Sequence, residues 1–250
     1  MAVFHVDLDN TLIFSYKRDI GQEKRCVEVY QGREISFITE KTYELLQKVR
    51  ERALIVPTTT RTQEQYRRID LGIGDLPYAL VCNGGVLLEN GKEDEKWRAR
   101  SLELVRECQG QLRKAMDLLE KEPERELEVR FLEEMFVFTK CRNPAEAVDV
   151  LRESLDTGLV DVLRNGQKVY VVPKSLRKGR AVERFRQYKR AGQVFAAGDS
   201  AFDVTMLEAA DLAVAPQALK SGFSLSACVT GMPGKAVYSE EVLEYILNFI

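Results

Sequence analysis

The sequence contains no CxxC pair, no apolar run long enough to span a bilayer, no internal repeat and no low-complexity tract, and it has almost no net charge. Each absence removes a class of function. The five cysteines (Cys26, Cys82, Cys108, Cys141, Cys228) are odd in number and widely spaced, so neither a zinc site nor a disulfide framework is indicated. Reduced thiols in a cytosolic protein are expected instead. A formal charge of -2 with scattered basic residues offers no electrostatic footprint for nucleic acid or an anionic membrane. An acidic residue, Asp7, arrives before a signal-peptide apolar stretch could be completed. A cytoplasmic protein that binds neither nucleic acid nor membrane is therefore expected.

What is present is a globular balance. Hydrophobic residues make up 45% and charged residues 30% of 250, enough for one large domain or one domain carrying a smaller insert. Short apolar runs at 3–6, 53–56, 78–82, 194–197 and 212–215 do not alternate with polar residues, which predicts strands buried on both faces. Helical patterns lie between them at 40–52, 66–69, 179–188, 204–209 and 240–249. Thr39 is placed to cap the first, and Thr62 with Gln65 has capping-box spacing ahead of the second. Strands alternating with helices predict an α/β fold, a three-layer Rossmann-like parallel sheet covered on both faces. A small hairpin is predicted around residues 31–33.

From about residue 86 to 169 the rhythm changes to strand pairs separated by helices, with helices at 102–121 and 144–155. Hairpins are predicted across Glu133–Glu134 and across Asn165–Gly166. This predicts an inserted α+β layer at 86–170, with the core formed by 1–85 and 171–250.

Four polar clusters fall where these strands end or helices begin, the place where open parallel sheets bind ligands. They are Asp7-Leu8-Asp9-Asn10-Thr11, Thr58-Thr59-Thr60-Arg61, Lys178-Gly179 and Gly198-Asp199-Ser200-Ala201-Phe202-Asp203. Taken singly, each has a structural explanation: a helix cap at Thr59, a first-turn acid at Asp203, a solvated lysine at Lys178. Their order and placement together favour a site. If the chain stays extended after the first strand, Asp7 and Asp9 project the same way.

In these four clusters the chain resembles the haloacid dehalogenase (HAD) superfamily of phosphohydrolases. The inserted layer falls where the C2-type cap sits in its Cof-like and sucrose-phosphatase-like members, and Val81-Cys82-Asn83-Gly84-Gly85 resembles the segment before that cap. Thr60 and Phe202 depart from it, since many relatives have Gly and Asn there. The resemblance implies a Mg²⁺-dependent phosphatase that acts on a small phosphate ester, such as a sugar phosphate, bound between core and cap. It implies Asp7 as nucleophile, forming an aspartyl-phosphate, and Asp9 as the acid and then base, its carboxyl raised by repulsion from Asp7. Thr59 and Lys178 would hold the phosphoryl oxygens, and Asp203 would orient Lys178. Asp7, Asp199 and Asp9, the last through its backbone carbonyl, would hold the metal. Arg61, Asn83, Lys174 and Ser200 are candidate substrate contacts.

His5, the only histidine, is expected to be a packed, hydrogen-bonded core residue. Trp97, Phe131, Phe136 and Phe138 are expected in the core of the insert. Two other functions share these residues. A phosphomutase would return the phosphoryl group to its sugar, and a non-catalytic regulator would bind metal and phosphate without turnover. Phosphate release from a monophosphate separates the enzyme from both.

Overall fold

A computed structural model describes all 250 residues. The chain packs into two compact units, residues 1–94 with 178–250, and residues 95–177. The sequence pattern put the divisions at 86 and 170. The strands Val86–Glu89 and Lys92–Glu93 stay with the first unit because they pair antiparallel with Tyr78–Val81 and with each other. No helix is long and apolar enough to cross a membrane, and the five cysteines are free thiols.

The first unit is built on a five-stranded parallel sheet. Its order is Val229–Met232, Leu212–Pro216, Gln193–Ala197, Ala2–Val6 and Leu54–Pro57. Alternate residues of the strands face opposite layers. Phe4, Val6, Phe195, Ala197 and Val214 pack with Leu45, Leu46 and Val49 of helix Glu40–Arg50 and with Val242, Leu243 and Ile246 of helix Tyr238–Leu247. Val194, Ala196, Ala213 and Ala215 pack with Val182 of helix Lys178–Lys189 and Met206 of helix Val204–Glu208. A strand covered on both faces must be apolar throughout, which explains the continuous runs.

Thr39 caps its helix by accepting from Thr42 N. The capping box of Thr62 and Gln65 forms, but its helix is the single turn Gln63–Tyr66 rather than 66–69. The run at 78–82 also differs from its predicted place in the parallel sheet. It touches that sheet through one parallel bridge, Thr58 to Leu80, and otherwise forms a separate antiparallel sheet. Three successive residues of positive φ (Cys82 52°, Asn83 58°, Gly84 85°) turn the chain straight back.

The second unit has a four-stranded antiparallel sheet ordered Val160–Asn165, Lys168–Pro173, Phe136–Lys140, Arg130–Leu132. Helices Gln109–Glu120 and Pro144–Ser154 bury Leu112, Ala115, Leu119, Val148 and Leu151 against Val137, Val162, Val169 and Val171. The helix predicted at 102–121 is two, Glu95–Leu104 and Gln109–Glu120, parted by the 3-10 turn Arg106–Cys108. That break directs both Val105 and Cys108 inward. Trp97 and Phe136 are buried, Phe131 packs at the edge of the core, and Phe138 tilts over Tyr170.

Candidate active site

The site lies in the first unit, at the carboxyl ends of the adjacent strands Ala2–Val6, Gln193–Ala197 and Leu54–Pro57. Asp7 N–H still bonds to the Ala197 carbonyl at 2.9 Å, so the ladder fixes the Asp7 backbone. The chain then closes on itself: the N–H groups of Thr11, Leu12 and Ile13 all reach the Leu8 carbonyl, and Asn10 takes φ 64°. This turn carries Asp9 outward and returns Thr11, whose hydroxyl donates to Asp199 Oδ1 at 3.1 Å.

Lys178 is fully buried in the first turn of its helix. An ammonium there is unfavourable twice over, by desolvation and by the positive end of the helix dipole. It is held by two carboxylates, donating to Asp7 Oδ1 and Asp203 Oδ1, each at 2.6 Å. Burial works against its charge, but Asp203 and Asp7 outweigh it and keep the amine above its usual range. Asp203 Oδ2 accepts from Asp199 N, Ser200 N and Ser200 Oγ at 3.1, 2.9 and 2.8 Å. Gly198 permits this fold-back, since a Cβ there would sit 2.3 Å from the Asp203 Cβ. From below, the buried Tyr238 hydroxyl donates to the Gly198 carbonyl at 2.9 Å.

Carboxylate oxygens of Asp7, Asp199 and Asp203 lie within 4.8 Å of one another. Three carboxylates face one ammonium, and the acids respond. Burial pushes Asp7 well above the usual carboxylate range, with Asp203, Asp199 and Asp9 adding to it and Lys178 opposing. Burial likewise pushes Asp199 up to about 7, helped by Asp203 and opposed by the Thr11 hydrogen bond and by Lys178. Both oxygens of Asp203 are committed to protein donors, whereas Asp7 and Asp199 each keep one oxygen free of protein hydrogen bonds. An all-oxygen, electron-rich pair of this kind fits a hard divalent cation.

A pH effect follows. A group whose folded pKa is raised stabilises the fold below its unfolded pKa and loses that contribution as pH rises through the folded value. Without divalent cation, stability is therefore expected to fall between about pH 4 and pH 7 as Asp199 ionises. Saturating Mg²⁺ is expected to raise Tm by about 5 °C or more at pH 8 and by much less at pH 5. Thermal melts with Mg²⁺ and with EDTA at both pH values check this; equal shifts contradict it.

The second segment brings Thr59 beside the same strand ends. Thr59 is buried, its N–H on the Leu80 carbonyl and its Oγ1 accepting Arg61 N–H at 3.2 Å, so the hydroxyl proton is free to be donated. Asn83 N–H reaches the Thr59 carbonyl at 2.9 Å. Its turn packs so closely on the Lys178 helix that a Cβ at Gly84 would meet the Ala181 Cβ at 2.2 Å.

Asp7 and Asp9, expected to face one point, grip different cations. Asp9 binds the Arg61 guanidinium through both oxygens, from Nε and Nη2 at 2.7 Å each, and Arg61 Nη1 donates to Glu28 at 2.8 Å. Its surroundings thus include a guanidinium that the sequence did not place there. Arg61, anticipated as a substrate contact, is occupied by these two acids. Ser200 is occupied by Asp203, and Lys174 lies in the second unit, its N–H on the Leu159 carbonyl. His5 is buried, its Nδ1 3.0 Å from the Thr58 hydroxyl and its ring edge-on to Phe185; burial lowers it to about 3, so it is neutral. Thr11, Glu28 and Tyr238 were not singled out by sequence. Thr11 sits inside the first motif and could have been; the other two lie in unremarkable strand and helix patterns.

No family model and no curated protein matches the sequence. Solved structures do match the fold. The sucrose-phosphatase of Synechocystis sp. PCC6803, in complex with sucrose and phosphate, matches with a TM-score of 0.69 at 17% identity, over 99% of this chain and 97% of that one. A haloacid dehalogenase-like hydrolase from B. subtilis matches at 0.62 and 15% identity over 100% of both chains. The trehalose-6-phosphate phosphatase of Aspergillus fumigatus matches at 0.51 and 15%, over 99% and 92%. The chain has the fold of the haloacid dehalogenase superfamily phosphatases.

Proposed function

We propose that the protein is a Mg²⁺-dependent phosphatase that hydrolyses a small phosphate ester, of the sugar phosphate class, through an aspartyl-phosphate on Asp7. The observation that carries this reading is the buried Lys178 ammonium shared by Asp7 and Asp203, with Asp199 beside them at the strand ends. Asp7 and Asp199 would hold the Mg²⁺, which supplies charge neutralisation for the phosphoryl oxygens. The sugar class is supported by the neighbours that are phosphatases of sucrose phosphate type and of trehalose 6-phosphate.

In the first step a carboxylate oxygen of Asp7 bonds to phosphorus and the ester P–O bond breaks. The leaving oxygen takes a proton from Asp9. Lys178 and the Thr59 hydroxyl donate to the phosphoryl oxygens as charge redistributes among them. In the second step water attacks phosphorus, the Asp7–phosphoryl bond breaks, and Asp9 accepts the water proton. Arg61 serves this cycle from the side: one Asp9 oxygen stays on the guanidinium while the other turns to the reacting oxygen. Asp203 is held by Ser200 and the Asp199 N–H, so it positions Lys178 rather than reacting.

A phosphate-release screen over hexose and disaccharide phosphates tests the reading. Release is expected with Mg²⁺ and loss of at least about 100-fold with EDTA. Failure to release phosphate from any ester in the presence of Mg²⁺ would contradict it.

A further inference from the structure

The hairpin of strands Lys24–Tyr30 and Arg33–Thr39 brings to the site a carboxylate that the steps above do not use. Glu28 has a fully buried side chain. Burying a carboxylate is costly unless it is charge-paired. Strand alternation would also have turned it outward, because its neighbour Val27 is buried. The ladder is irregular on both sides of Glu28, with register shifts between Cys26 and Glu28 and between Glu28 and Val29. This bulge lets both residues face inward.

Once inside, Glu28 is gripped firmly. Ser36 Oγ donates to its Oε2 at 2.7 Å, and Arg61 Nη1 and Arg68 Nε donate to Oε1 at 2.8 and 3.2 Å. Arg61 then clamps Asp9. Side-chain exposure rises along this chain from 0% at Glu28 through 12% at Arg61 to 48% at Asp9. An aspartate that exposed, on a turn, has several rotamers open to it, and the bidentate fork selects one.

We propose that Glu28 is a positioning residue for proton transfer: its buried carboxylate anchors the Arg61 guanidinium, which sets the direction of the Asp9 carboxylate. This rests on the phosphatase reading, because Asp9 has a proton to move only there.

Proton delivery matters most when the leaving oxygen is strongly basic. The test is kcat/KM with Mg²⁺ on glycerol phosphate, phenyl phosphate and p-nitrophenyl phosphate for wild type, Glu28→Gln and Ser36→Ala. Glu28→Gln is expected to lose about 10- to 100-fold on glycerol phosphate and less than about threefold on p-nitrophenyl phosphate. Ser36→Ala, which removes one hydrogen bond and no charge, should show the same slope at about threefold on the alkyl ester. A Glu28→Gln loss equal on all three esters, or no loss, marks a purely structural ion pair and overturns the proposal. If Glu28→Gln does not fold, Ser36→Ala decides by the same slope, and a flat profile overturns it. A wild type that releases phosphate neither from these three nor from the hexose and disaccharide phosphates overturns the phosphatase reading, and this inference with it.

Discussion

Lys178→Met is expected to lose stability and turnover together. The substitution keeps an unbranched side chain, one atom shorter, and removes the one ammonium among Asp7, Asp203 and Asp199. Breaking a buried ion pair by deleting one partner costs about 3–5 kcal/mol, because the remaining charge is left uncompensated. Here two direct partners are stranded. The variant should therefore become more stable as pH is lowered and its carboxyls protonate, and Mg²⁺ should restore part of the loss at pH 8. Turnover should fall by at least about 1,000-fold, since in the proposed reaction the same ammonium neutralises the transferring phosphoryl group. Urea unfolding at two pH values and phosphate release measure both halves. A variant with near wild-type stability at pH 8 would mean that Lys178 does not bind these acids.

Asp7→Asn is expected to separate the two properties. Burial already pushes the Asp7 carboxyl well above the ordinary range, so a neutral isostere suits the environment and relieves repulsion from Asp203 and Asp199. Lys178 keeps Asp203 as its partner. Stability should change by no more than about 1–2 kcal/mol. Turnover should fall by about 10,000-fold or more, because an amide cannot form the acyl-phosphate bond. Two substitutions on one ion pair thus give different signatures, one losing both properties and the other losing only chemistry. Residual activity in Asp7→Asn above about 1% of wild type would remove Asp7 from the nucleophile's role.

The fold and the candidate site are legible in the sequence where local physics governs them. Residues 3–6, His5 apart, and 194–197 are apolar because both sheet faces are covered, and the acids follow where the strands end. Thr39 and Thr62 announce helix starts through hydrogen bonds made within three residues. What was hidden depends on contacts between distant segments. Glu28 reads as an ordinary outward strand residue until the register shifts in its hairpin turn it toward Arg61. Arg61 reads as a substrate contact because nothing local says that two acids from elsewhere occupy it. The strand Val229–Met232 and helix Gln217–Phe223 were missed as well. The strand carries a threonine and a glycine with little apolar signal, and the helix has no capping residue. The 3-10 break at Arg106–Cys108 is marked by no proline and follows from packing of Val105 and Cys108.

The most direct test is to find where the phosphoryl group rests between the two steps. Asp9→Asn should still accept phosphate from p-nitrophenyl phosphate, whose leaving group needs little protonation, but should hydrolyse the intermediate slowly. Acid-quenched and mapped by peptide mass spectrometry, it should carry one hydroxylamine-labile phosphoryl group on Asp7, absent when Asp7→Asn is added. A phosphoryl group on any other residue, or steady turnover with Asp7 unmodified throughout, would contradict the account.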